Sequence, residues 1–457
     1  ASCRARQAAA QLALEGWRVG VLAAAVRDEL EAEGRFARCF DACVDDGAAD
    51  EEGSALRYAA RLFEREIDED LQPALSTFVT IEAHALEAIR ALSPLAAAFR
   101  SVCGEPALPQ LQQLCANLSA GWCTQLEALL AESIGRAVEL ESWEPISGGR
   151  PAVLRSSSVV DLFTQLDQLC DVFISFASLQ PLQPADLRAF TDVVERKVGS
   201  YVRIVAEGCV PLPASALEGD ARRAASAVAS DEAPATSAGR SRSSRAKGAA
   251  AGPPANKAAL EAQPLEQLCL RLNNCAWARE QLGKLASKLV ASLPDLTALA
   301  RTRVGGGGVD TLMAGGASQC DAACDAIAKY VARKVVYYEL GSAFLTQLYL
   351  PSPLDPASRL APLLTRLNPT LAAIVRGVAL AAWSKQALLA VLGTFSLALT
   401  AVLEAPNRRY APAHRTVLLQ DVQRLADFFM DGGLLDEQVV AGSVSPLRAL
   451  VEASCAA

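Results

Sequence analysis

The chain is 457 residues long, enough for about three ordinary domains or one long array, and 51% of it is hydrophobic, chiefly Ala and Leu, with 5% aromatic and 21% charged residues. Such usage favours helices over sheets, and a net charge of −8 excludes a surface that is basic throughout and grips nucleic acid. Two histidines, His84 and His414, leave little room for His-rich metal sites or His-based acid–base chemistry.

The first hundred residues carry a helical pattern broken by an acidic loop at Asp45, Asp46, Asp50, Glu51 and Glu52. A helical block over 108–140 follows, closed by Trp143-Glu144-Pro145 and the turn-rich Ser147 to Pro151. Ser156-Ser157-Ser158 supplies N-cap hydroxyls for a helix whose buried face is Val159, Leu162, Phe163, Leu166, Leu169, Cys170, Phe173 and Phe176. A further helix is predicted from Asp186 to about Glu207. Pro211 to Pro264 is rich in Ala, Ser, Gly and Pro and lacks aromatics, which predicts a disordered linker with a basic island at Arg240, Arg242, Arg245 and Lys247.

Helical order resumes at Leu265, Leu268, Leu272, Cys275, Leu282, Leu285 and Leu289, with Arg271, Asn273, Arg279, Glu280 and Lys284 off that stripe. After Gly305–Gly308, one continuous helix face is predicted through Ile327, Val331, Val335, Tyr338, Phe344, Leu345 and Leu348, ended by Pro351 and Pro353. Ala387 to Leu403 carries no charge and reaches the lower end of the ~17–25 residues a membrane span needs, but Lys385 and Glu404 close it tightly and Gly393, Thr394, Ser396 and Thr400 dilute it. It reads as the core helix of a bundle. The last helix signal, Val417 to Met430, stops at Asp431-Gly432-Gly433. Nothing reads as a strand.

Thirteen cysteines in a long chain without a signal-peptide pattern predict reduced thiols used as small core residues, and Cys39/Cys43, Cys269/Cys275 and Cys320/Cys324 lack the two-residue gap of zinc knuckles. The chain opens on Ala rather than Met, as a processed product or a piece of a longer protein would. Gly305–Gly308 has no following Lys-Ser or Lys-Thr and so lacks the parts of a phosphate-binding loop. Asp45-Asp46 with Asp50 superficially suits the magnesium site of an isoprenoid-synthase-like all-α enzyme, yet the acids fall among glycines and no second ligand set follows. No catalytic, cofactor or metal set is expected.

Four segments together resemble the MUN-domain family of Munc-thirteen (unc-thirteen) exocytosis-priming proteins, most closely its plant branch that controls delivery of the proton pump to the plasma membrane. They are Trp143-Glu144-Pro145 with Val159, Asp161 and Phe163; Cys269, Arg271 and Asn273; Val335 and Tyr338; and Arg409 with Asp421, Phe428, Phe429 and Gly433. The resemblance implies an all-α, elongated stack of antiparallel helical bundles similar to vesicle-tethering subunits. It implies N-terminal bundles over 1–150, a first Munc homology domain over 151–300 interrupted by the linker 211–264, connecting helices over 301–350, and a second homology domain over 351–457. It further implies a non-catalytic priming or tethering factor that binds syntaxin-type SNAREs and Sec/Munc-type proteins. Such a factor is cytoplasmic and peripherally recruited to the plasma membrane or secretory vesicles, with Arg240, Arg242, Arg245 and Lys247 available to touch anionic lipid. A helical adaptor without SNARE activity is the alternative. The signature residues are expected to hold bundles together rather than to touch a partner.

Overall fold

The computed structural model describes Arg65 and residues 109–146, 154–179, 184–228, 263–294, 297, 312–346, 348–349, 359–405, 410–431 and 433–454. The expectations for the acidic loop, for His84, for Gly305–Gly308, for the basic island and for Arg409 lie outside these residues. The described chain is all-α, and no strand occurs among the described residues. Eleven α-helices are described: α1 (Pro109–Glu139), α2 (Ser157–Leu179), α3 (Pro184–Glu207), α4 (Ala216–Val228), α5 (Leu265–Ser292), α6 (Ala314–Arg333), α7 (Gly341–Thr346), α8 (Ala361–Gly377), α9 (Ala381–Leu403), α10 (Arg415–Met430) and α11 (Glu437–Ser454).

Two compact units arise from interleaved stretches of sequence. The first takes its described residues from within 1–140, 160–198 and 280–317, and the second from 141–159, 199–279 and 318–457. In the first unit, Trp122, Phe173 and Phe190 stack nearly parallel, with centroid separations of 4.5 to 5.8 Å. These rings come from α1, α2 and α3, so each helix delivers an aromatic side chain to one shared core. Lys288 joins the rim by pairing with Asp167 at 2.6 Å and Asp171 at 2.7 Å.

In the second unit α5 is buried on every side from Leu268 through Ala276. The residues read as lying off its apolar stripe, Arg271 and Asn273, are therefore inside as well. A helix buried all round needs neighbours all round, and its polar positions must find partners among them.

Two expectations are corrected here. The stretch expected to be a linker from Pro211 contains α4, which packs against α9 and buries Leu217 and Glu218. Ser215 Oγ accepts the Glu218 amide hydrogen bond at 2.9 Å, the N-terminal half of a Ser-x-x-Glu capping box, so the helix start is locally encoded. The single helix expected through Leu348 is interrupted by a π-turn over Lys334–Glu339, where the Leu340 amide reaches back five residues to the Val335 carbonyl at 3.0 Å. The extra residue rotates the face that follows. Phe344 remains buried, whereas Leu345, expected on the same face, is exposed.

Helix α9 is long and apolar enough to cross a membrane by length and composition. Most of its surface is covered by its own unit instead, through packing against α4, α7, α8, α11 and the π-turn. Ala387, Val391, Leu392, Phe395, Ala398 and Leu399 are buried there, and Phe395 meets Phe344 edge-on at 4.9 Å. Phe395→Ala is therefore expected to destabilise the protein by about 3–5 kcal/mol in urea denaturation, the usual cost of emptying an aromatic core site. A change below about 1 kcal/mol would mean that this face of α9 is not a packed protein core.

Candidate functional site

Four of the signature positions, Trp143, Cys269, Arg271 and Asn273, belong to a largely buried polar junction. Glu141 accepts the Trp143 amide at 3.0 Å and the Ser158 amide at 2.9 Å, and it takes a further hydrogen bond from the Ser156 hydroxyl. The cap on the first turn of α2 is therefore this carboxylate, where the sequence suggested the serine hydroxyls; a negative group at a helix N-terminus also complements the helix dipole. Burial pushes the Glu141 carboxyl up, but the hydrogen bonds from Ser156, Ser158 and Trp143 prevail and hold it below its ordinary range.

The serines turn inward. Ser158 Oγ lies 2.9 Å from the Tyr201 hydroxyl, while the Asn274 amide donates to Ser156 Oγ at 2.8 Å and to Tyr201 at 3.2 Å. The Asn274 carbonyl oxygen accepts the Ser156 amide at 3.1 Å.

Arg271 and Asn273 use the same helix to hold two other places. The Arg271 guanidinium lies 3.5 Å from the centroid of the Trp143 ring and donates to the Val205 carbonyl at 2.8 Å. A Cβ on Gly208 would come within 2.6 Å of that guanidinium, so the close approach requires glycine there. Trp143 itself has φ +55°, a left-handed conformation costly for a bulky residue and held here by the Glu141 and Arg271 contacts. Asn273 donates to the Gly377 carbonyl at 2.7 Å and accepts the Ala379 amide at 2.8 Å, fixing the turn between α8 and α9. One turn earlier on α5, Cys269 abuts Gly377, where a Cβ would sit 3.1 Å from its sulfur.

The remaining signature residues are mostly core. Val159, Phe163, Val335 and Phe429 are buried, Phe428 is half-buried and edge-on to Phe429, and buried Asp421 accepts the Tyr349 hydroxyl at 3.0 Å. Gly433 has φ +68°, a left-handed position just beyond the end of α10. Pro145 and Asp161 are exposed, and Tyr338 is half-buried with a buried hydroxyl that has no hydrogen-bond partner. Cys123, Cys170, Cys209, Cys269, Cys275, Cys320 and Cys324 are free thiols. Burial pushes the thiols of Cys170, Cys269 and Cys320 up to about 12, which suits packing rather than nucleophilic chemistry.

A separate concavity of about 580 Å³ opens on the second unit between α4, α6, α9 and α11. Sequence reading missed it because its walls come from four distant segments. One wall is charged: Glu218, only 7% exposed, receives Arg222 at 3.0 Å and also Arg333, while Lys329 pairs with Asp325 at 2.6 Å. The lining from α9 and α11 mixes Leu389, Ala390, Gly393, Leu397 and Val439 with the polar Gln386, Thr394 and Ser443, and Leu397 and Val439 are 55% and 43% exposed. Tyr337, on the π-turn, also lines it. Gly393 sits mid-helix, where glycine costs about 1 kcal/mol against alanine, and nothing lies within 4 Å of the Cβ it lacks.

Two outcomes test the junction. Asn273→Ala is expected to cost about 1–3 kcal/mol in urea unfolding, because two backbone groups at the α8–α9 turn lose their partner. Since the Glu141 carboxyl is lowered in the folded state, its contribution is present above the ordinary glutamate range and lost as pH falls through the folded value. Glu141→Gln should therefore flatten the acid limb of the stability–pH curve below about pH 4.5 relative to wild type; superimposable acid limbs would contradict this role.

Comparison with known proteins adds a family match: the family described as PATROL1-like, TPR repeats matches residues 115–455. No curated protein matches the chain.

Proposed function

This chain belongs to the family of PATROL1-like TPR-repeat proteins, and from that membership we propose that it is a non-catalytic binding scaffold in the delivery of membrane proteins to the plasma membrane. The observation that carries the reading is the family match over residues 115–455, which covers both described units. It coincides with the plant branch that the Trp143, Cys269–Asn273, Val335–Tyr338 and Asp421–Gly433 segments resemble. The kinship of those segments to MUN domains is the finer part of the proposal.

In that finer reading the helical body binds a syntaxin-type SNARE together with a Sec/Munc-type protein and speeds SNARE assembly. The residue usage supports a scaffold: Glu141, Arg271, Asn273 and Asn274 are engaged with neighbouring elements, and an open concavity is left on the surface. The proton pump is the cargo class that the family resemblance suggests. Peripheral recruitment to the membrane accords with α9, which is the one helix among the described residues long and apolar enough to span a membrane and which packs within its unit.

The repeat description favours a second reading, in which the chain is a helical adaptor without SNARE activity, because stacked helical repeats commonly present binding surfaces. One assay separates the two. The purified chain is mixed with cognate syntaxin, its Sec/Munc-type clamp and the remaining SNAREs, and assembly is followed by fluorescence transfer. Saturable syntaxin binding and faster assembly are expected; a folded chain that neither binds several cognate syntaxins nor changes the rate would leave the adaptor.

A further inference from the structure

We infer that the concavity between α4, α6, α9 and α11 is a docking groove for an amphipathic helix of a partner protein, one whose apolar stripe is flanked by acidic residues. The inference rests on the binding-scaffold reading but not on the partner being a SNARE.

The shape comes first. Along α9 the groove runs from Gln386 to Leu397, about 16 Å at the rise of an α-helix, which matches three turns of an incoming helix. Gly393 lies midway. A glycine within a helix weakens it, and here nothing among the described residues lies within 4 Å of the side-chain position it leaves empty. The helical glycines Gly135, Gly219, Gly283 and Gly442 are equally open, so Gly393 supplies room for a docked helix to approach α9 closely rather than a demand for one. On either side Leu397 and Val439 project from α9 and α11 far more than the buried residues beside them. Two exposed aliphatic side chains straddling a shallow saddle are what an apolar stripe of i, i+3, i+4 spacing can enclose.

Charge then selects among apolar helices. The facing wall holds three cations, Arg222, Lys329 and Arg333, against two carboxylates, Glu218 and Asp325. Both guanidiniums converge on one oxygen of Glu218, which holds them beside the groove and leaves the wall with a cationic surplus. Arg222 and Lys329 are mostly exposed, at 70% and 68% of their side-chain surface, so an acidic flank on the docked helix can reach them. A helix with a basic flank would meet this wall with like charge.

The open space at Gly393 makes the test direct. Gly393→Trp adds bulk only on the groove side and removes a helix-weakening residue, so circular dichroism and thermal unfolding should show a folded chain. Leu397→Glu, at an exposed site, is the second variant. The probes are three fluorescent 18-residue peptides with one Leu stripe, flanked by Glu, Gln or Lys, titrated by anisotropy into the full chain. The Glu-flanked peptide should bind saturably and at least about tenfold more tightly than the Lys-flanked one, with the difference shrinking as salt rises. Each variant should weaken it by about tenfold or more.

No saturable binding, equal binding of the Glu and Lys peptides, or binding unchanged in Gly393→Trp and Leu397→Glu would each overturn the inference. So would binding of anionic vesicles that the plug variant abolishes, since that would make the groove a lipid site, or a concentration-dependent dimer that the plug variant dissolves. The cytosolic region of syntaxin, run in parallel, keeps this result distinct from the proposed function. Syntaxin binding in a chain that shows no saturable binding of the Glu-flanked peptide overturns the groove while leaving the SNARE reading intact. Loss of syntaxin binding in wild type, with the Glu-flanked peptide still bound, does the reverse.

Discussion

Burial of α5 on all sides is the constraint from which the second unit follows. A helix placed in solvent can turn its polar residues outward, but Arg271, Asn273 and Asn274 lie within a run of nine buried residues and have no such exit. Each is partnered with a different part of the chain. Arg271 takes the end of α3 and the Trp143 ring, Asn273 the turn before α9, and Asn274 the entry to α2 with Tyr201. An unpaired polar group in such a position costs about 1–3 kcal/mol, so alternative packings that break these pairings are disfavoured one by one. Four elements are thereby located by one helix.

The same logic assigns structural roles to individual signature residues. Trp143 holds a left-handed backbone because Glu141 accepts its amide and Arg271 covers its ring. Cys269 is small because Gly377 must approach it closely. The signature is thus chiefly a record of how the scaffold is fastened. The recognition surface we infer lies elsewhere, at the concavity where the nearly buried Glu218 gathers Arg222 and Arg333 and where Leu397 and Val439 are exposed.

Much of the fold was legible in the sequence because helices announce themselves through local periodicity. The stripe through Val159, Leu162, Phe163, Leu166, Cys170 and Phe173 is largely buried, and the apolar run before Leu403 is a bundle helix. Composition misled where it outweighed local chemistry. Ser215-x-x-Glu218 is a readable helix start, yet it stood at the edge of an Ala- and Ser-rich tract and was absorbed into a linker. The π-turn was invisible because a one-residue insertion leaves no composition signal and shows only as a shifted face at Leu345. The groove was beyond reach for a different reason. Glu218, Lys329, Gly393 and Val439 lie on four helices, and only tertiary packing makes them neighbours. Gly393 registered merely as a residue diluting an apolar run.

Hydrogen–deuterium exchange on the intact chain, alone and with saturating syntaxin cytosolic region, tests the central claim that a helix-locked scaffold recognises partners at its surface. The account predicts that amides of residues 268–276 are among the slowest to exchange in the second unit and are unchanged by the partner, while added protection falls on α4, α6, α9 and α11. Rapid exchange across 268–276 in the free chain, or protection on binding concentrated there, would contradict it.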